Sequence, residues 1–218
     1  IDTYVEYTGT ALLAILKSQP ITDPAEVLRR VKQDYAERFK VEWTEPLGFN
    51  NTFAVLVRGD DANKFNLKTI SDAAKISPQW RAGFGQDFMS RADGFPGFAR
   101  TYGFHFAEIR EMDLSLTYRA LAEKQVDLIA GNSTDGLISR YRLVQLEDDR
   151  HYFPPYDAVP VIRRVTLEQH PEIRAALRQL SGILSVAEMR KLNYAVDGEK
   201  RPAREVAREF LETKRILR

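Results

Sequence analysis

Apolar residues recur along this chain with two different periods. In ALLAILKSQ (11–19) they cover nearly every helical face, and in DPAEVLRRVKQDYAERF (23–39) they return at helical spacing behind an Asp cap and a first-turn Pro. Two helices are therefore predicted to open the chain. The period then changes: a Pro-Gly loop leads into the continuous run Phe53 to Val57, ended by Gly59-Asp60, which predicts a buried strand. A short helix follows in KTISDAAKI behind a Ser71 cap. GQDFMSRADGFPGFARTYGF (85–104) predicts a helix broken by turns at Asp93-Gly94 and Pro96-Gly97. MDLSLTYRALAEKQ is an amphipathic helix, VDLIAG a buried strand, AVPVIRRVTLEQH a strand running into a capped helix, and three further helical segments fill 171–212. Alternation of strands and helices argues an α/β class with mainly parallel pairing. FAVLVR and AVPVIR, each beside a Gly- or Pro-marked loop, are the natural pair of crossings between two lobes.

One junction stands out. HYFPPY (151–156) gathers three rings around Pro154-Pro155, and two prolines fix φ and remove backbone donors, so this is a stiffened crossover and not helix. Its rings need an explanation.

At 218 residues the chain is long enough for one sizeable domain or two small lobes. Its 32 basic and 31 acidic side chains leave a formal charge of +1 without any long block of one sign, which speaks against a nucleic-acid partner. Zero cysteines exclude disulfides, thiolate metal sites and cysteine nucleophiles. No run approaches the roughly 20 apolar residues that span a bilayer, and the start IDTYVEYTGT, without initiator Met or leader pattern, is that of a soluble, processed or trimmed product.

Catalytic signals are weak. His105, His151 and His170 are scattered without metal-ligand spacing and read as surface residues; no metal is implied. STDG lacks the flanks of a nucleophile elbow and reads as a turn. GFGQDF lacks the lysine of a phosphate loop, so no cofactor is implied. Glu147-Asp148-Asp149 reads as a solvated acidic loop. What remains is a set of aromatic residues at loops: Tyr4 and Tyr7 beside TGT, Phe53 after NNT, and Tyr152, Phe153 and Tyr156 around the prolines. Each alone would be ordinary core. Converging on a cleft, their π faces would suit a cation without hydrogen-bond donors, such as a quaternary ammonium, at roughly 0.5 to 2 kcal/mol per ring.

With these residues assembled, the chain resembles the substrate-binding proteins of ABC importers for glycine betaine, choline and related compatible solutes, of the ProX and OsmF/YehZ type. The resemblance is carried by IDTYVEYTGT, GFNNTFAV, FMSRADGFPGF, STDGLI, LEDDRHYFPPYDAVPVIR and LNYAVDG, in the family's order over essentially the whole chain. It implies a two-lobed periplasmic-binding-protein fold of type II, with 1–55 as the first part of lobe one, 56–158 as lobe two and 159–218 as the return of lobe one. It further implies an interlobe aromatic cage that closes by hinge motion, and an extracytoplasmic location, soluble or membrane-tethered. The implied partners are a quaternary ammonium solute and a membrane permease. Position by position, Tyr7 matches a cage tyrosine and Thr10 a polar neighbour that influences solute choice. Phe53 falls where a second tyrosine is common, Asn132 where a third aromatic is often found, and Tyr156 matches the fourth ring. Arg91 matches an arginine that holds the ligand carboxylate in betaine-binding members, a task suited to its planar fork; its alternative is a salt bridge to Asp93.

Two departures follow. An amide in place of one ring implies an affinity lower by roughly two- to thirtyfold, or a different solute. The resemblance also implies a first lobe incomplete at its N-terminus, since family members usually carry further strands and helices ahead of the opening Ile-Asp. The alternative expectation is a ligand-blind module that forms a homodimer through the exposed first-lobe sheet edge. An enzyme is not expected.

Overall fold

In the computed structural model, which describes residues 1–217, the chain opens on a strand, β1 (Thr3–Tyr7), ahead of the helices expected there. α1 (Thr8–Thr10) runs into a π-helical turn over Ala11–Ile15. α2 (Pro24–Arg38) begins where the sequence placed it: the Asp23 carboxylate accepts the Glu26 N–H at 2.8 Å and Pro24 fills the first turn. After β2 (Val41–Trp43) the chain leaves this unit at residue 52 and returns to it at 154. The returning part holds β8 (Ala158–Arg163), α9 (Arg164–Gln169), α10 (Glu172–Arg178), α11 (Val186–Asn193) and α12 (Ala203–Thr213). The capped start expected for α9 is absent, since Arg163 makes no side-chain cap.

Residues 53–153 form the other unit: β3 (Phe53–Arg58), α3 (Gly59–Lys64), α4 (Ile70–Ile76), β4 (Arg81–Phe84), α5 (Gln86–Ser90), α6 (Phe95–Tyr102), β5 (Glu108–Glu111), α7 (Leu114–Ala122), β6 (Leu128–Asn132), α8 (Leu137–Arg140) and β7 (Leu143–Gln145). β3 and β8 therefore each lie inside one unit, starting just after the chain passes from the other. Helix α4 is capped by Thr69 and not Ser71: Thr69 Oγ1 accepts the Asp72 N–H, and Asp72 returns the bond to the Thr69 N–H. Between α5 and α6 only the Asp93-Gly94 break exists. Pro96 sits in the first turn of α6, where a missing N–H costs nothing.

Pairing corrects the expected parallel sheets. β8 is the middle strand of three, antiparallel to both β1 and β2, with Tyr7 opposite Ala158 and Trp43 opposite Val161. The second sheet runs β5-β4-β6-β3-β7. Only β4 with β5 and β4 with β6 are parallel, whereas β3 runs against both β6 and β7. The helical crossovers through α5, α6 and α7 impose the parallel pairs; β3 enters by another route. The chain is thus α/β with mixed sheets.

The first unit packs Leu12, Val27, Val31, Tyr35 and Trp43 against Val159 and Val161. The second has an aromatic core in which Phe84, Phe88, Phe98 and Phe104 are buried. Tyr152 and Phe153 join that core. Phe153 stacks on Phe98 at 5.9 Å, and the Tyr152 hydroxyl donates to Gly94 O at 3.0 Å. Two of the three rings at the proline junction are therefore packing residues. The acidic run before them also differs from a solvated loop: Asp148 accepts the Tyr152 and Phe153 N–H groups at 3.0 and 2.9 Å and the Tyr102 hydroxyl.

Where β4 and β6 begin and β3 ends, Arg58 reaches the carbonyls of Leu121 and Val126 and pairs with Asp127, which also takes the Arg81 side chain and N–H. Burial pushes the Asp127 carboxyl up, but the Arg81 and Arg58 bonds outweigh it and hold the carboxyl below its ordinary value. A depressed folded pKa gives stability that is complete above the unfolded value near ~3.9 and lost as pH falls through the folded value. Asp127→Asn is expected to lower the unfolding free energy by about 1–3 kcal/mol at neutral pH. It should also flatten the acid limb of urea-unfolding profiles; an unchanged acid limb would refute the assignment.

Candidate functional site

The proline junction delivers Tyr156 to the start of β8 with few backbone partners, and the segment after β1 supplies them. The buried Thr8 hydroxyl donates to Pro155 O at 3.0 Å and accepts the Asp157 N–H at 2.9 Å, while the Thr8 N–H donates to Asp157 O at 3.1 Å. Asn50 Oδ1 accepts the Tyr156 N–H at 3.2 Å, and the Asn51 N–H donates to Tyr156 O at 3.0 Å. The Tyr156 ring lies flat enough on Gly9 that a Cβ there would meet ring carbon at 2.6 Å, so only glycine admits this approach. Tyr7, half-buried, packs with Leu47, Phe49 and Ala158, and Thr10 follows one helical turn into α1. Burial pushes the Asp157 carboxyl up from its ordinary value. Tyr7, Thr10 and Tyr156 are thus anchored around one interlock in the first unit.

The second unit holds a cavity of about 540 Å³ at the carboxyl ends of its parallel strands, the usual place for a ligand in a sheet of this kind. Gly85 to Phe88 follow β4, Glu111 to Leu114 end β5 and begin α7, and Ala130 to Asn132 end β6. Phe53 completes the wall because β3 runs antiparallel and starts at this same edge, directly opposite Asn132 in register. Its ring meets Phe88 edge-on at 5.1 Å. The Arg91 guanidinium carbon lies 5.6 Å from the Phe53 ring centre, and Arg91 forks onto Asp93 through Nε at 2.9 Å and Nη2 at 2.6 Å. The salt bridge weighed against a ligand role is therefore formed.

Three carboxylates stand among the cavity's lining residues: Asp87, Glu111 and Asp113. Asp113 caps α7, and the hydroxyl and N–H of Ser115 hold its carboxyl below the ordinary value. Among the described residues no lysine or arginine lines this cavity.

The six residues singled out in the sequence thus fall into two groups of three, one in each unit. Tyr4 is not among them structurally: it is exposed and donates its hydroxyl to Glu6 at 2.9 Å. His105, His151 and His170 are exposed. Sequence reasoning missed Thr8, which was passed over between Tyr7 and Thr10, and the partners of Asp135 in STDG, whose carboxylate accepts the Tyr118 hydroxyl and the Asn132 N–H. The only local signal for Asp135 was the Asn-x-x-Asp spacing that favours such a turn.

Known proteins resemble this chain over nearly its whole length. The family model for the substrate-binding domain of ABC-type glycine betaine transport systems matches residues 1–213. The carnitine transport binding protein OpuCC of Listeria monocytogenes is 41% identical over 211 residues, 96% of this chain and 68% of that protein. A glycine-betaine-binding protein of Pseudomonas aeruginosa is 34% identical over 228 residues, covering 100% of this chain and 73% of its own. A crystal structure of a glycine betaine/carnitine/choline ABC transporter superposes with a TM-score of 0.87 at 39% identity, over 99% of this chain and 79% of the other.

Thr8 offers a direct check. Thr8→Val keeps the shape and leaves Pro155 O and the Asp157 N–H buried without that partner, and is expected to cost about 1–3 kcal/mol in urea unfolding. Thr8→Ser should recover most of it. A neutral valine variant would show that the interlock does not anchor Tyr156.

Proposed function

The chain belongs to the family of substrate-binding domains of ABC-type glycine betaine transport systems, and on that premise we propose that it is an extracytoplasmic receptor that holds a quaternary ammonium solute against aromatic rings. It serves betaine-, carnitine- and choline-type transport, and its partner is the membrane permease of an ABC importer. No helix among the described residues is long and apolar enough to cross a membrane. The observation that carries the reading is the cavity where Phe53 faces the carboxyl ends of β4, β5 and β6, without a cationic lining residue to repel an ammonium group.

In this reading Tyr7, Phe53 and Tyr156 supply the rings, Thr10 and Asn132 the polar contacts. A quaternary trimethylammonium nitrogen cannot donate a hydrogen bond, so electron-rich faces replace the water it gives up. Arg91 holds the carboxylate of a zwitterionic solute while remaining forked on Asp93, which fixes the guanidinium plane. Phe53 in place of a tyrosine keeps the π face and gives up the hydroxyl. Relatives named for carnitine and for glycine betaine are 41% and 34% identical to this chain, and in this reading the polar positions, not overall likeness, choose the solute.

Titration of the fluorescence of Trp43, Trp80 and the tyrosines with glycine betaine, choline, carnitine and proline tests the reading. Binding of at least one quaternary ammonium solute is expected. Tyr156→Ala should weaken every such solute by roughly two- to thirtyfold. Arg91→Lys, which keeps the charge beside Asp93 and removes the fork, should weaken chiefly carboxylate-bearing solutes. Equal losses for choline and betaine in the lysine variant would contradict the role given to Arg91, and silence toward all of the ammonium solutes would overturn the receptor.

A further inference from the structure

We infer that the solute of this site carries a hydrogen-bond donor, a hydroxyl or N–H group placed near its methylated nitrogen, and that Asn132 receives it with Asp135 as the positioning residue; the inference rests on the receptor reading above. The Asn132 side chain can be oriented on chemical grounds alone. Its Nδ2 lies 3.4 Å from Asp135 Oδ2, and a carboxylate only accepts, so the amide presents its NH₂ to Asp135 and leaves Oδ1 on the other side. That Oδ1 has no partner among the described residues, and Asn132 lines the cavity opposite Phe53.

Asp135 is itself fixed. It takes the Asn132 backbone N–H at 2.9 Å and the hydroxyl of the buried Tyr118, and its own N–H closes the turn onto Asn132 O at 3.0 Å. Tyr118 in turn presses against Gly131, where any Cβ would collide with its hydroxyl. A ring, a carboxylate and a glycine thus hold one amide in one orientation.

The polar groups around it have the same sense. Asp87 and Glu111 line the cavity without an ion-pair partner among the described residues, so the wall offers acceptors and negative charge. Glycine betaine has no O–H or N–H: with its carboxylate on Arg91 it would still leave Asn132 Oδ1 facing methyl groups. A hydroxylated or N–H-bearing ammonium satisfies that oxygen.

Two probes of equal charge and near-equal size isolate the donor. Choline and ethyltrimethylammonium differ by one hydroxyl, so the rings treat them alike, and the share of any preference that is lost in Asn132→Leu belongs to the amide and not to Asp87 or Glu111. By calorimetric titration of the full chain, choline should bind roughly three- to tenfold more tightly. In Asn132→Leu the ratio should fall to near one, and in Asp135→Asn it should fall part of the way, with circular dichroism and the thermal midpoint reporting that each variant is folded. Equal affinities in the unaltered protein would overturn the inference whatever the variants do, as would a ratio that survives the leucine. Failure of both probes and of betaine and carnitine to bind would overturn the receptor reading itself, an outcome distinct from binding without discrimination.

Discussion

A chain that enters a buried strand through two prolines has surrendered the donors that normally anchor it. Pro154 and Pro155 contribute no N–H, yet Pro155 O, the Tyr156 N–H and both polar groups of Asp157 still have to be matched at the head of β8. No ladder reaches them all, so side chains do: one Thr8 hydroxyl serves Pro155 O and the Asp157 N–H together, and Asn50 takes the Tyr156 N–H. The consequence is positional. Tyr156 is fixed relative to the Tyr7-Thr8-Gly9-Thr10 segment by hydrogen bonds from residues nearly 150 positions away in sequence.

The second unit solves the same problem by different means. Its wall is made of strand ends, where β4, β5 and β6 finish and β3 begins, so backbone groups there are turning into helices or turns when they meet the cavity. Behind them the phenylalanine-rich core gives rigidity through edge-on and stacked contacts about 5 to 6 Å apart. Asp148 ties Tyr152 and Phe153 into that core immediately before the chain departs through the prolines. Rings in the HYFPPY stretch therefore divide by position: those before the prolines brace one unit, and the one after them belongs to the other.

That division shows where sequence legibility ended. β3, β6 and β8 were readable because continuous apolar runs bounded by Gly, Asp or Pro announce buried strands without any partner being known. β1 and β2 were not, because Thr-Tyr-Val-Glu-Tyr and Val-Glu-Trp become strands only through pairing with β8, more than 110 residues away. Direction failed for a related reason, since alternation of elements constrains only strands joined through a helix. Candidate site residues behaved similarly: the rings and Arg91 were visible as residue types, while the Thr8–Pro155 and Tyr118–Asp135 bonds join residues too far apart for a local pattern to encode. Thr69 and not Ser71 caps α4 because it stands three residues before Asp72 and closes a reciprocal capping box with it.

Discrimination among methylated cations cannot come from the rings themselves. A π face attracts any trimethylammonium group in nearly the same way, so the rings set how tightly the class is held and leave the choice within it open. Polar groups make the choice through an asymmetry: a satisfied hydrogen bond contributes only about 0.5–1.5 kcal/mol, whereas a desolvated acceptor left unmatched costs about 1–3 kcal/mol. A fixed amide oxygen such as Asn132 Oδ1 therefore acts more by penalising the solute that lacks a donor than by rewarding the one that has it. In the proposed site, an oriented amide in place of a ring would surrender some general affinity and convert the remainder into selectivity, with Asp135 keeping the amide from turning over.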